Sequence, residues 1–293
     1  MKHTLPHILN IPPFTFRGVN VGKLNILQKI IFIFKGKLLS IALERFSEKN
    51  FCAIINYFYR EDSKIYFENG MYKKLLTSGN IISYPNKRIL RMVNGHEDQL
   101  KNFLKIYCID FIKFDKGDTV VDCGANVGEL NMALKYASIF INYIGFEPDM
   151  ETFTCLELNN PEKNNKLYMQ GLSNKIGEED FFIDNDGGNS SLINFGENEK
   201  ITINTVTLDS LQIATKIKLF KIDAEGFEPE VIEGSLGTLN MIHFLSVDFG
   251  HERGPKEEST VIDVNKILTK EGFELVKFSD HRLIGLYENK KYQ

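Results

Sequence analysis

The chain has 293 residues with 43% hydrophobic and 25% charged side chains, a composition typical of a folded globular protein. Its net charge of −4 is unevenly placed, because residues 1–115 contain 18 Lys and Arg against 9 Asp and Glu, whereas the remainder contains 17 against 30. The basic residues form no dense run, which disfavours a nucleic-acid-binding arm but is compatible with an anionic membrane surface or a phosphorylated substrate carrier.

The cysteines and the first residues bear on the cellular compartment. Cys52, Cys108, Cys123 and Cys155 include no C-x-x-C pair, so the sequence predicts neither a zinc site nor a disulfide framework. The start, MKHTLPHILNIPPF, lacks the features of a secretory signal peptide. We therefore expect a reducing compartment and a cytoplasmic location.

Residues 1–100 are expected to form an N-terminal extension that begins with an irregular arm. The segment 10–14 superficially resembles the Asn-Pro-Pro-Phe signature of enzymes that methylate amino groups of nucleic acids, but it has one residue too many and no strand before it. Residues 24–46 are the most apolar stretch, and its charges leave no run near the roughly 20 residues that a membrane span needs. They predict a helix packed on the main domain or, alternatively, a basic amphipathic helix lying on a membrane.

The remaining elements before the main domain are short. Residues 51–59 predict a helix or a strand, and short strands are expected at residues 64–67, 81–84 and 88–93. Residues 97–113 have apolar side chains at helical spacing. The main domain is expected to occupy residues 101–293.

Strands and helices alternate from residue 118 onward, which predicts an α/β domain with a mostly parallel sheet covered on both faces. The predicted strands are residues 119–123, 142–146, 167–171, 218–223, 243–249, 274–278 and 282–287. The predicted helices are residues 130–136, 150–158, 229–239 and 259–270. Only Ser-Asp-His joins the last two strands, so they are expected to form a closing antiparallel hairpin. An insertion between Ile176 and Val206 predicts a second hairpin that holds residues 187–191.

The stretch 119–129, TVVDCGANVGE, is a strand, a glycine-rich turn and the start of a helix. Asp122 ends the strand, and Gly124, Asn126 and Gly128 can adopt the backbone conformations that allow close approach to a ligand. The pattern differs from the G-x-G-x-x-G of dinucleotide sites. An acid before the first glycine suits a positively charged ligand, such as the amino end of S-adenosylmethionine. The alternative is an ordinary tight connection that binds nothing.

Two further strand ends supply candidate ligand contacts. Glu147 lies 25 positions after Asp122, in GFEPD, where an acid can accept hydrogen bonds from both hydroxyls of a ribose. Pro148 turns the chain out of the strand. The third strand ends without an acid, so we expect Leu172 to pack on an adenine ring and Ser173 or Gln170 to hydrogen-bond it.

Acidic residues also follow the fourth and fifth strands. Asp223 is expected near the methyl group of such a ligand or near the hydroxyl group of an acceptor molecule. Glu225 and Glu228 could bind acceptor hydroxyls, a divalent metal or only the N-terminus of the next helix. Asp248 and His251 reach the same edge, and histidine is the natural base near neutral pH. A purely structural role for this histidine stays open.

Five segments, VVDCGANVGE, GFEPD, VTLDSL, KIDAEGFEPEVIEG and SVDFGH, resemble in order those of the FkbM family of S-adenosylmethionine-dependent methyltransferases. The resemblance covers residues 118–287 and implies a class I, Rossmann-like methyltransferase fold. It also implies S-adenosylmethionine as cofactor and O-methylation, often of sugars in glycans or of secondary metabolites. The expected cofactor-binding residues are Asp122, Gly124, Asn126, Gly128, Glu129, Glu147, Pro148, Leu172, Ser173 and Asp223. The expected catalytic residues are Asp223, His251 and Glu225, and no motif decides which is the base.

The expected acceptor is a sugar hydroxyl of a cell-surface polysaccharide or its precursor, and the basic extension suits a carrier phosphate or a membrane face. One alternative is a non-catalytic adenosyl-binding scaffold in a glycan assembly complex, and another is an O-methyltransferase for small molecules. A nucleic-acid methyltransferase is disfavoured because Asp-Ala-Glu-Gly stands where an Asn/Asp-Pro-Pro-aromatic motif would follow the fourth strand. A divalent metal is possible but not predicted.

Overall fold

The computed structural model describes residues 11–59, 64–76, 79–183, 199–251, 253, 256 and 258–292. The chain divides into two compact units, Met1–Gln99 and Leu100–Gln293. The predicted residues 187–191 of the insertion lie outside the described part of the chain.

The first unit combines two helices with a small antiparallel sheet. Its elements are α1 (Ile26–Arg45), α2 (Glu48–Phe58), β1 (Ile65–Glu68), β2 (Met71–Leu75) and β3 (Ile81–Tyr84). Helix α1 begins at a reciprocal cap, in which the Asn25 side chain accepts from the Gln28 amide and the Gln28 side chain accepts from the Asn25 amide. The strand predicted at residues 88–93 is wrong, because Lys87–Met92 is a 3-10 helix that the Asn86 side chain caps.

Helix α3 (His96–Ile106) is shorter than the predicted helix over residues 97–113. Cys108 has a φ of 56°, a left-handed conformation that a continuing helix does not allow. A separate 3-10 turn, Ile109–Phe111, follows.

The second unit is built on two sheets with helices between their strands. Its strands are β4 (Thr119–Cys123), β5 (Asn142–Phe146), β6 (Lys166–Tyr168), β7 (Gly171–Leu172), β8 (Gly177–Ile183), β9 (Glu199–Val206), β10 (Ile217–Ile222), β11 (Ile242–Asp248), β12 (Phe273–Phe278) and β13 (Ile284–Asn289). Its further helices are α4 (Glu129–Tyr136), α5 (Met150–Asn159), α6 (Glu228–Glu233) and α7 (Val261–Glu271).

The main sheet has seven strands in the order β12-β13-β11-β10-β4-β5-β6. Strands β6, β5, β4, β10 and β11 are parallel, whereas β13 pairs antiparallel with both β11 and β12. All five residues of β4 are buried, as expected of an apolar strand covered on both faces. The predicted seven-stranded, mostly parallel sheet with a closing hairpin is confirmed, and the fold is that of a class I, Rossmann-like methyltransferase.

The smaller sheet corrects one predicted strand. Strand β6 ends at Tyr168, and β7 pairs with β9 rather than extending the third strand to residue 171. Strand β9 also pairs antiparallel with β8, which confirms a hairpin within the insertion.

Helix α6 is likewise shorter than predicted and ends at Glu233. The following Gly234 packs so closely that a Cβ there would lie 2.0 Å from the Ser173 carbonyl oxygen.

The register between β4 and β10 brings two chain segments together where both strands end. Cys123 pairs with Ile222, so Gly124 and Asp223 follow side by side. Gly124 has a φ of 71°, and a Cβ on it would lie 2.0 Å from the Asp223 carbonyl oxygen. A glycine is therefore required here for contact between two backbones, in addition to any ligand.

We expect Gly124→Ala to destabilise the protein more than Gly117→Ala does. Both glycines have positive φ, which costs an alanine roughly 1–2 kcal/mol, but a Cβ on Gly117 would meet nothing within 4 Å. The difference in unfolding free energy between the two variants, measured by urea denaturation, isolates the clash with Asp223. Equal losses of unfolding free energy in the two variants would mean that the segments at Gly124 and Asp223 can move apart without loss of stability.

Candidate active site

The carboxyl ends of β4, β5, β10 and β11 meet at one edge of the main sheet. Gly124, Glu147 and Asp223 follow β4, β5 and β10 directly. Ligands of open α/β sheets bind at this edge, because loops from neighbouring strands diverge there. The predicted residues at these three strand ends therefore converge, as the sequence indicates.

The loop between β4 and α4 is held by Glu147. Gly124, Asn126 and Gly128 have φ angles of 71°, 50° and 86°. Glu147 is 7% exposed, and its two carboxylate oxygens accept from the backbone amides of Asn126 at 2.9 Å and Asp149 at 3.1 Å. A carboxylate can accept more than two hydrogen bonds, so this arrangement is compatible with further donors such as ribose hydroxyls.

Asp122 binds two side chains inside the sheet. It is 1% exposed; one oxygen accepts from the Lys221 ammonium at 2.9 Å and the other from the Tyr143 hydroxyl at 2.6 Å. Lys221 also donates to the carbonyl oxygens of Cys123 at 3.3 Å and Gly124 at 3.1 Å. Asp122 thus supports the loop through Lys221, and its contact with the amino end of a donor stays a prediction.

For both Asp122 and Lys221, burial and neighbouring charges shift the pKa in opposite directions. Burial raises the pKa of the Asp122 carboxyl, whereas the Lys221 ammonium and the Tyr143 hydroxyl oppose that rise. Burial alone would lower the pKa of Lys221, but Asp122 and then Asp223 raise it above its ordinary value. Lys221 is therefore a charged ammonium at neutral pH, with both carboxylates as counter-ions.

Asp223 is oriented by Tyr107 and Lys221. The Tyr107 hydroxyl donates to Oδ2 of Asp223, and the Lys221 nitrogen lies 3.9 Å from the same oxygen. The Tyr107 carbonyl oxygen in turn accepts from the Ser246 hydroxyl at 2.7 Å. Burial, followed by the charges of Asp223 and Asp248, raises the pKa of Tyr107 well above its ordinary value, which keeps the phenol protonated as a donor.

Glu228 holds the turn that follows Asp223. It is 1% exposed, and Oε1 accepts from the amides of Ala224 at 3.1 Å and Gly226 at 3.0 Å. Its Oε2 accepts from the Thr260 hydroxyl at 2.9 Å. Glu225 within this turn has a φ of 50°, in the left-handed region that is strained for a non-glycine residue. Glu228, at the N-terminus of α6, therefore binds the backbone of the turn that precedes this helix.

Asp248 and His251 lie at the carboxyl end of β11. Asp248 is 1% exposed; its Oδ1 accepts from the Gly250 amide at 3.1 Å, and its Oδ2 lies 3.0 Å from the Arg282 guanidinium. His251 is exposed three residues beyond the end of β11. It follows the carboxyl end of β11, and its role as a base stays a prediction.

Leu172 and Ser173 are placed differently from the other predicted site residues. Leu172 is 2% exposed within the hydrophobic core, and Ser173 is fully buried. This burial and their position at the smaller sheet argue against contact with an adenine ring. The residues that leave the end of β6 are instead Met169, which is 45% exposed, and Gln170, which is half-buried.

The two remaining predicted residues adjoin the loops already described. Glu129 begins α4 and is 7% exposed, while Pro148 is half-buried directly after Glu147. Sequence reasoning missed Lys221, Tyr107 and Tyr143. The only signal was a lysine inside the otherwise apolar strand segment LFKI. Across the described part of the chain, no group of three or more His, Cys, Asp or Glu could hold a metal ion.

The family model for the "Methyltransferase FkbM domain" matches residues 122–275, which include the loops that carry Glu147 and Asp223. The chain belongs to the FkbM methyltransferase family. The resemblance seen in the sequence is confirmed, and the chain is an S-adenosylmethionine-dependent methyltransferase. The FkbM segment KIDAEGFEPEVIEG coincides with the Lys221, Asp223 and Glu228 contacts described above.

Among curated proteins, this FkbM chain is similar to the hexuronic acid methyltransferase AglP of Haloferax volcanii, with 24% identity over 186 residues, 62% of this chain and 73% of AglP. Among solved structures it is similar to a SAM-dependent methyltransferase from Aquifex aeolicus, with 14% identity, a TM-score of 0.39 and coverage of 66% and 97% of the two chains. It is also similar to Sp1610 of Streptococcus pneumoniae, a putative tRNA (m1A22) methyltransferase, with 12% identity, a TM-score of 0.39 and coverage of 69% and 72%.

Lys221→Met is expected to destabilise the protein by about 3–5 kcal/mol, because it leaves the Asp122 carboxylate buried without its counter-ion. The double variant Asp122→Asn/Lys221→Met should recover part of that loss, since no buried charge then remains in the pair. Lys216→Met changes an exposed lysine just before the same strand and serves as control. Urea denaturation of the unaltered protein, Asp122→Asn, Lys221→Met and the double variant measures the coupling, and additive losses would contradict it.

Glu228 is expected to make stability depend on pH. Burial, the largest cause, raises its pKa from 4.5 to about 7, so the folded protein holds a proton that the unfolded chain releases. Its contribution is therefore complete below about pH 4.5 and is lost as the pH rises through about 7, by on the order of 3 kcal/mol.

Unfolding free energies at about pH 5 and about pH 8 check this, with Glu228→Gln expected to show a smaller loss between the two values. The exposed Glu233 of the same helix provides the matched control, Glu233→Gln, which should behave as the unaltered protein. A Glu228→Gln variant with an undiminished pH dependence would assign the effect to other groups.

Proposed function

We propose that this chain methylates a hydroxyl group of a sugar, in a cell-surface polysaccharide or in its precursor. The observation that carries the proposal is the similarity to AglP, a hexuronic acid methyltransferase, over 73% of that protein's length. A uronic acid is therefore the first acceptor class to test. The cytoplasmic location expected from the sequence is part of this proposal.

The residues at the carboxyl edge fit S-adenosylmethionine. Glu147 would accept from the ribose hydroxyls, and the backbone of residues 124–128 would lie against the ligand. The acids Glu147 and Asp223 suit a ligand that carries positive charge. When bound, this cofactor supplies an electrophilic methyl group to the acceptor oxygen and leaves as S-adenosylhomocysteine.

Asp223 is proposed to receive the proton of the acceptor hydroxyl. Tyr107 and Lys221 fix its Oδ2, so its carboxylate has a defined direction before the acceptor binds. His251 is the competing base, and Glu225 is proposed to orient acceptor hydroxyls. Alignment of the acceptor oxygen with the methyl group supplies much of the rate in a reaction of this kind.

Calorimetric titration with S-adenosylhomocysteine, with and without magnesium, tests the cofactor site. We expect Glu147→Gln to weaken binding by about tenfold or more, because it exchanges a charged hydrogen-bond acceptor for a neutral one. Glu157→Gln, at an exposed position of α5, should leave the affinity unchanged. A Glu147→Gln variant that binds equally well would remove Glu147 from the site, and magnesium-enhanced binding would assign a metal to the neighbouring carboxylates.

Methyl transfer to glycans that contain uronic acids, to neutral glycans and to small-molecule alcohols then tests the acceptor class by mass spectrometry. Asp223→Asn should lower kcat by about 10²–10⁴, a loss larger than any change in S-adenosylhomocysteine affinity, as for removal of a general base. The same effect in His251→Asn alone would transfer that role to His251. Transfer only to small alcohols would contradict the sugar acceptor, and tight binding without any transfer would favour the scaffold alternative.

A further inference from the structure

Helix α1 has apolar side chains on all sides but is covered on only one of them. Its buried residues are Gly36, Leu39, Ser40 and Ala42. At about 3.6 residues per turn, these residues lie on one face of the helix. A helix that is apolar all round normally lies in a protein core or in a membrane, so the uncovered face calls for a second environment.

The uncovered face is a continuous apolar stripe. Its members are at least 37% exposed, and Ile26 reaches 79%. They are Ile26, Leu27, Ile30, Ile31, Ile33, Phe34, Leu38 and Ile41. Soluble proteins rarely expose a contiguous apolar patch larger than a few hundred Å², and larger patches mark interaction surfaces.

The charges around this stripe favour an anionic partner. Residues 17–45 contain six Lys and Arg but one acidic residue, Glu44. Lys23, Lys29 and Lys37 are exposed beside or within the stripe. Arg17 and Lys35 instead bind the protein, since Arg17 donates to three carbonyl oxygens of residues 90–93 and Lys35 donates to the Phe58 carbonyl oxygen.

The exposed lysines distinguish a lipid surface from a second copy of this chain. A second copy seated on the stripe would bring the same positive charges together, which disfavours association. Anionic lipid headgroups neutralise them, and a lysine beside an apolar face extends its ammonium to the headgroups while its methylene groups stay in the apolar layer. Within the part of the chain that the structure describes, every helix is too short or too polar to span a bilayer.

We propose that the stripe of α1 binds the surface of an anionic lipid bilayer, with the helix axis parallel to the membrane. The 20-residue helix is roughly 30 Å long, so the whole stripe can lie at the boundary of headgroups and acyl chains. This attachment places a methyltransferase at the membrane, where an acceptor carried by a lipid would be found. The proposal rests on the helix alone and holds for any acceptor.

Co-sedimentation of the full chain with lipid vesicles tests the proposal. The protein should bind vesicles of phosphatidylglycerol and phosphatidylcholine, and it should bind pure phosphatidylcholine more weakly. The triple variant Ile30→Ser/Phe34→Ser/Ile41→Ser should bind at least about tenfold more weakly, because three large apolar side chains no longer enter the lipid. Lys29→Gln/Lys37→Gln should lose roughly fivefold per lysine on anionic vesicles only.

A matched control makes the same kind of substitution at exposed apolar residues outside α1, in Leu158→Ser/Ile176→Ser/Ile262→Ser. It should bind vesicles as the unaltered protein does. Unchanged melting temperature and S-adenosylhomocysteine affinity show that each variant is folded and separate this test from that of methyl transfer. The proposal is overturned if the unaltered protein ignores anionic vesicles, if the α1 variant binds equally well, or if light scattering shows a dimer that only the α1 substitutions dissociate.

Discussion

The buried ion pair between Asp122 and Lys221 is the contact on which the carboxyl edge of the sheet depends. It joins the neighbouring strands β4 and β10 one residue before each ends. The same ammonium binds two carbonyl oxygens at the start of the glycine-rich loop and lies 3.9 Å from Asp223. A buried pair adds little net stability, whereas loss of one member is costly. In this protein, the Lys221 ammonium of the pair positions both the glycine-rich loop and the Asp223 carboxylate.

Carboxylates anchor the two loops that border the site. Glu147 binds the amides of Asn126 and Asp149, and Glu228 binds those of Ala224 and Gly226. In both cases a nearly buried acid compensates backbone donors that a turn leaves outside any strand or helix. The loops are thus fixed by the protein itself, so little reorganisation is needed when a ligand binds. Glu147 and Glu228 therefore stabilise the loops of the fold itself.

The sequence predicted those parts of the structure that depend on local pattern. Strands β4 and β5 have the predicted bounds because each is a buried apolar run that ends at a turn, and the loop after β4 has positive φ at the three expected positions. Contacts between segments that are far apart in the chain could not be predicted from the sequence. Tyr107 meets Asp223 across 116 positions of sequence, and no motif marks a tyrosine or a lone lysine for such a contact. The third strand was predicted to reach residue 171, but β6 ends at Tyr168, and Leu172 belongs instead to the smaller sheet, where β7 pairs with β9.

The place of β13 in the sheet has a consequence for the order of assembly. Residues 284–289 form a strand inserted between β11 and β12, although both of these precede it in the chain. During synthesis on the ribosome, β11 therefore keeps an unpaired edge until those residues emerge, and β12 cannot join the sheet before them. An open strand edge is a template for pairing with other chains. The nascent methyltransferase therefore keeps this open sheet edge until β13 has been synthesised.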